Sequence, residues 1–189
     1  MPLRSLRGVV AAFVAFGLSL MGARASAQVP CSSCEQCTAA LASANANVQL
    51  GGDLRVEGAG PCITVAGERA RLDGGEHLLR AANGATAIRV TGASALVRNV
   101  HVTGAEVGVE VNGARGVTLF HNTFETRGTA VRVQSASDLR VVRARVTGGR
   151  VGVALGADNR GACRGPRSVQ RPGAVLIQSS ITGADVGVA

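Results

Sequence analysis

The side chains in this chain that could do chemistry are five cysteines, three histidines and twelve carboxylates. Cys31, Cys34 and Cys37 form a C-x-x-C-x-x-C run, with Cys62 and Cys163 farther along. Three thiolates at that spacing would open an iron–sulfur or zinc pattern, but the fourth ligand and the Pro that usually follows it are missing. Disulfides are the expected state in an exported chain, and four cysteines allow three connectivities. Cys62 is expected to tie the N-terminal segment to the body that follows, which leaves Cys163 as an unpaired thiol. His77, His101 and His121 share no position in the repeat described below and read as outward or turn residues. No metal, no cofactor and no catalytic residue are expected. The strongest ligand-binding candidates are Arg160, Arg164, Arg167 and Arg171, which lie in an insertion at 158–172. Four guanidiniums against Asp158 suit an acidic glycan or another protein.

The 189 residues include 26 Gly and are 46% hydrophobic, 17% charged and 2% aromatic. That charge is too low for a disordered polyelectrolyte, and the glycines lack the three-residue period of collagen. All 20 basic residues are Arg. Residues 1–27 read as a cleaved signal: Arg4 and Arg7 precede an apolar run, and Ala25-Ser26-Ala27 offers a small-x-small site. The run is shorter than the roughly 20 residues that span a membrane. Without the leader, 17 basic residues face 12 acidic ones. Export and the lack of aromatic residues among the arginines argue against nucleic-acid binding.

The elements that must position these groups come as a repeat. Ile88, Val109, Val131, Val153 and Val188 mark successive copies at steps of 21, 22, 22 and 35, the last lengthened by the insertion. Superposition gives inward columns: Val90, Val111, Val133 and Leu155; Val97, Leu119, Val141 and Leu176; Val102, Phe124, Val146 and Ile181. Alternation with period two and β-branched residues predict short strands, with Gly, Asn, Ser and Asp at the bends. The outward column Arg89, Glu110, Arg132, Ala154 predicts charge pairing between neighbouring coils, and Arg150 and Asp185 are neighbours in another. Valine in place of leucine, and no helical return, argue against a leucine-rich repeat.

With these columns, the turn-plus-apolar run His121-Asn122-Thr123-Phe124 and the opening coil Cys62-Ile63-Thr64-Val65 through Leu72-Asp73-Gly74-Gly75, residues 48–189 resemble the right-handed parallel β-helix of the pectate-lyase-like superfold. The resemblance implies an all-β solenoid of ~22-residue coils. Enzymes of that group carry stacked carboxylates, which are not found here, and the Asn-Thr-Asp, Asp-Asp, Gly-His-Gly and Arg-Ile-Lys motifs of its hydrolases are missing. Glu106 and Glu110 are the nearest approach to a Ca²⁺ pair.

Residues 28–47 read as a cysteine-rich cap: Cys34, Cys37, Leu41 and Ala44 share one helical face, and Ser33-x-x-Gln36 or Ser32-x-x-Glu35 offers a capping box. The C-terminal end reads as incomplete, so a partner or further sequence is expected to cover its open edge. The function expected is an exported, non-catalytic scaffold, secreted, periplasmic or on the cell surface, that meets a glycan or a protein. The alternative is the N-terminal part of a polysaccharide lyase or glycoside hydrolase whose active site lies beyond residue 189.

Overall fold

The short alternating runs become strands of three to six residues, because valine and isoleucine pack well on a pleated surface and the glycine- and asparagine-containing bends stop each run. A computed structural model describes residues 27–82, 84–156 and 174–189. The expected leader, the insertion at 158–172 with its four arginines, and Cys163 lie outside the described residues, apart from residue 27.

The strands form three faces, each a wholly parallel sheet. The first face holds β1 (Val29–Cys31), β2 (Asn47–Leu50), β5 (Arg71–Asp73), β8 (Leu96–Arg98), β11 (Thr118–Phe120), β14 (Leu139–Val142) and β17 (Ala174–Ile177). The second holds β3 (Leu54–Val56), β6 (Leu78–Ala81), β9 (His101–Thr103), β12 (Thr123–Glu125), β15 (Arg145–Thr147) and β18 (Ser180–Thr182). The third holds β4 (Pro61–Val65), β7 (Thr86–Val90), β10 (Val107–Asn112), β13 (Thr129–Gln134), β16 (Val151–Leu155) and β19 (Val186–Val188). The chain visits the faces in turn and makes a parallel β-solenoid of about 6 turns.

The register follows the sequence columns. Ile63, Ile88, Val109, Val131, Val153 and Val188 pair in succession along the third face. Val97, Leu119, Val141 and Leu176 do so on the first, and Val102, Phe124, Val146 and Ile181 on the second. Apart from the last coil these side chains are buried. Fully burying a side chain of this size stabilises the fold by about 1.5–3 kcal/mol, so the columns supply most of the driving force.

Each turn bends sharply between the first and second faces, and the bend repeats in register. Asn99, His121, Arg143 and Gln178 all have left-handed backbones, with φ of 52, 54, 52 and 48°. Tight bending leaves backbone groups behind it without strand partners, and side chains at the bend take them up. Asn122 Oδ1 accepts the Val100 N–H (3.0 Å) and its amide donates to the Val97 carbonyl (3.0 Å). Two coils on, the Ser179 hydroxyl accepts the Ala144 N–H (3.2 Å), and its one proton faces the Ile177 carbonyl (3.0 Å) and the Val141 carbonyl (3.3 Å). Leaving such groups buried and unpaired would cost about 1–3 kcal/mol each.

The N-terminal segment covers the first coil. Ser33 caps α1 (Cys34–Ala40), its hydroxyl accepting the Gln36 N–H at 3.1 Å, while the Gln36 side chain accepts the Ser32 N–H at 2.9 Å. This is the expected capping box shifted by one residue on its return bond. Cys37 and Leu41 are buried against the core. β4 has no strand on its outer edge, and α1 occupies that place: the Thr38 hydroxyl accepts the Thr64 N–H (3.0 Å) and donates to the Cys62 carbonyl (3.3 Å). Two disulfides fix the arrangement, Cys31–Cys37 within the cap and Cys34–Cys62 from helix to coil. β1 pairs with β2, so the first face starts inside the segment expected to be only a cap.

Candidate functional site

Outward positions of a stacked coil bring charges from adjacent rungs about 4.8 Å apart, close enough to pair. Arg89 Nε donates to Glu110 Oε2 at 2.8 Å, and Glu110 is buried although it points outward. Glu106 reaches past one rung to the Arg150 guanidinium. Gly128 lies between them, and a Cβ there would come within 2.6 Å of the Glu106 Cδ, so the missing side chain leaves the path open. Arg150 therefore pairs with Glu106, while Asp185 is its neighbour in the column only. Both members of the nearest Ca²⁺ pair are thus engaged by arginines.

The richest polar cluster lies at the first bend. Asp73, at the end of β5, is only 8% exposed and sits beside Arg98 in the register. Its carboxylate accepts Arg98 Nη2 at 2.7 Å and Nε at 2.9 Å, Asn99 Nδ2 at 3.1 Å and the Gly75 N–H at 3.1 Å. Burial alone pushes its pKa up; the Gly75 N–H, the Asn99 amide and the Arg98 guanidinium outweigh burial and hold it below the usual carboxylate value. Asn99 in turn meets His121, whose Nδ1 lies 3.2 Å from Asn99 Oδ1. His101, one coil earlier on the second face, places Nε2 3.3 Å from Glu125 Oε1. Glu76, Asn99, Val100, His101, His121 and Thr123 line a shallow depression of 230 Å³ beside this network.

A depressed carboxylate pKa is a stability term with a definite pH window. The contribution of Asp73 is complete above its unfolded pKa and disappears as pH falls through its lower folded pKa. Asp73→Asn is expected to cost about 1–3 kcal/mol at neutral pH, and its deficit relative to the natural chain should shrink in acid. Thermal melts of both proteins at pH 7 and pH 3 check this; an equal deficit at both would remove the ionic role of Asp73.

Phe120 is the one aromatic candidate for a sugar platform. It pairs in register with Arg98 and Val142, and the Arg143 guanidinium lies over its ring, 5.9 Å from the centroid. That contact is a cation–π pair, which covers one ring face. All four cysteines of the N-terminal group are in disulfides, so none offers a thiolate to a metal. Among the described residues no three His, Cys, Asp or Glu side chains are grouped to hold a metal ion, and no helix is long and apolar enough to cross a membrane. Paired cysteines indicate an oxidising, extracytoplasmic environment. The sequence expectation of outward or turn positions fits His121, which stands at the bend in line with Asn99 and Arg143, and His101, which pairs with Thr123 in the register. It did not join Asp73 to that bend. The available signal was an Asp one residue before the Gly-Gly bend, with Arg98-Asn99 at the matching place in the next coil.

No family model, curated protein or solved structure matches the chain.

Proposed function

We propose that this chain is an exported, right-handed parallel β-solenoid of the pectate-lyase-like kind that serves as a non-catalytic scaffold, secreted or displayed at the cell surface, and meets a glycan or a protein with its outer faces. The right-handed sense follows from the rule that parallel strands are joined by right-handed crossovers. Export rests on the leader pattern of residues 1–27 together with the oxidised cysteines.

One observation carries the non-catalytic reading. Six carboxylates, Asp53, Glu68, Asp73, Glu106, Glu110 and Glu125, are each in contact with a basic or imidazole side chain. Glycoside hydrolysis needs two carboxyl groups facing each other across a bond, about 5–9.5 Å apart and open to substrate. Here the carboxylates are distributed around the coil; Asp53, Asp73, Glu110 and Glu125 meet partners on an adjacent rung, Glu106 one two rungs away, and Glu68 its own neighbour Arg69. The experiment is incubation of the purified chain with a panel of neutral and acidic polysaccharides. The expected result is retardation in affinity gels with no new reducing ends and no unsaturated products. Shortening of any polymer would overturn the reading.

A further inference from the structure

We propose that the depression at the first bend binds a neutral sugar residue of a glycan through its hydroxyl groups; the assignment rests on the scaffold reading above. At 230 Å³ the depression is smaller than the roughly 300–1,000 Å³ sites of drug-sized ligands, which suits one ring of a longer chain rather than an enclosed substrate.

The hydrogen bonds around it fix which atoms are left for a ligand. Asp73 is acceptor-only when ionised, so Asn99 turns its Nδ2 toward Asp73 and its Oδ1 toward His121. Nδ1 of His121 must then carry a proton, and the tautomer with hydrogen on Nδ1 alone offers Nε2 as an acceptor. His101 Nε2–H donates to Glu125 Oε1 at 3.3 Å. Glu76 adds a carboxylate acceptor, and the Thr123 hydroxyl both donates and accepts. Sugar hydroxyls also donate and accept, so this mixture meets them where a purely basic surface would not.

The positions are rigid. Glu76, Asn99 and His121 all sit in left-handed backbone at the bend, with φ of 64, 52 and 54°, and β9 and β12 pair in register behind them. Glu76 is the one carboxylate on the lining, and it repels a uronate or a sulfate. This depression favours neutral sugars, in contrast to the acidic glycans expected from the arginines at 158–172.

The test is titration of the isotope-labelled full chain with methyl glucoside, methyl galactoside, methyl mannoside, N-acetylglucosamine and galacturonate, read from the imidazole resonances of His101 and His121. At least one neutral sugar is expected to shift both, and galacturonate to bind more weakly. His121→Asn keeps a residue that tolerates the left-handed backbone and removes the Nε2 acceptor. It should weaken the neutral sugar about tenfold, the loss of one hydrogen bond, with an unchanged melting transition. Glu76→Gln should reduce the preference over galacturonate. A neutral sugar that shifts other residues and leaves both imidazoles unmoved would overturn this site and leave the glycan reading standing. No response to any sugar in the panel would overturn both the site and the glycan part of the scaffold reading.

Discussion

Phe124→Ala is expected to destabilise the fold by about 3–5 kcal/mol, the range for removing a fully buried aromatic side chain. Among the described residues Phe124 is the largest fully buried side chain, at 0% exposure in the middle of β12. It stacks between Val102 and Val146, and its ring lies against Gly108 so closely that a Cβ there would be 2.9 Å from Cδ1. The neighbours are held by their own rungs and cannot collapse into the space, so the cavity term adds to the lost transfer energy. For a chain of this length each kcal/mol lowers the melting temperature by about 2–4 °C. Phe120→Ala, at an outward position of the same coil, should cost about 1 kcal/mol or less. Urea titrations of the two variants check the contrast, and equal costs would contradict the inward assignment of the second-face column.

Replacing Cys34 and Cys62 together by Ala is expected to cost about 3.5 kcal/mol. Their disulfide closes a sequence separation of 28, against 6 for Cys31–Cys37, and loop-closure entropy grows with the length closed. The second effect is local. Without the bond, α1 is held at β4 by the buried face of Cys37 and Leu41, the Thr38 bonds and the Leu41 carbonyl, which accepts the Gly67 N–H. The Thr64 amide, which donates to Thr38, should therefore exchange with solvent faster than its neighbours in β7. A double variant that melts like the natural chain and keeps Thr64 protected would show that the helix covers the edge without the covalent link.

The core was legible in the sequence because a solenoid writes its register twice. Within a coil, period-two alternation marks the inward residues; between coils, the 21–22-residue step brings like onto like, as with Val109 and Val131. The bend was legible for the same reason, since Asn99, His121 and Arg143 recur at one position. The 35-residue step to Val188 did not hide the register, because Val153 and Val188 still pair. Interactions that skip a rung or leave a column were not legible. Glu106 passes over Gly128 to Arg150, and nothing in the repeat marks a contact two rungs away. The Asp73–Asn99–His121 chain runs from strand end to bend and on to the next bend, so it belongs to no single column. β1 was hidden by its size: Val29-Pro30-Cys31 is too short to show a period. Cysteine spacing left the pairing open, and the packing of α1 on β4 selects Cys34 for Cys62.

The central claim is an exported scaffold whose first coil is closed by an oxidised cap. The measurement that tests it most directly is the intact mass of the natural product, alkylated before and after reduction, with a non-reducing peptide map. The account predicts a chain lacking residues 1–27, in which Cys31, Cys34, Cys37 and Cys62 resist alkylation until reduced and map as Cys31–Cys37 and Cys34–Cys62. A product that retains its leader inside the cell, with those four cysteines alkylated at once, would contradict it.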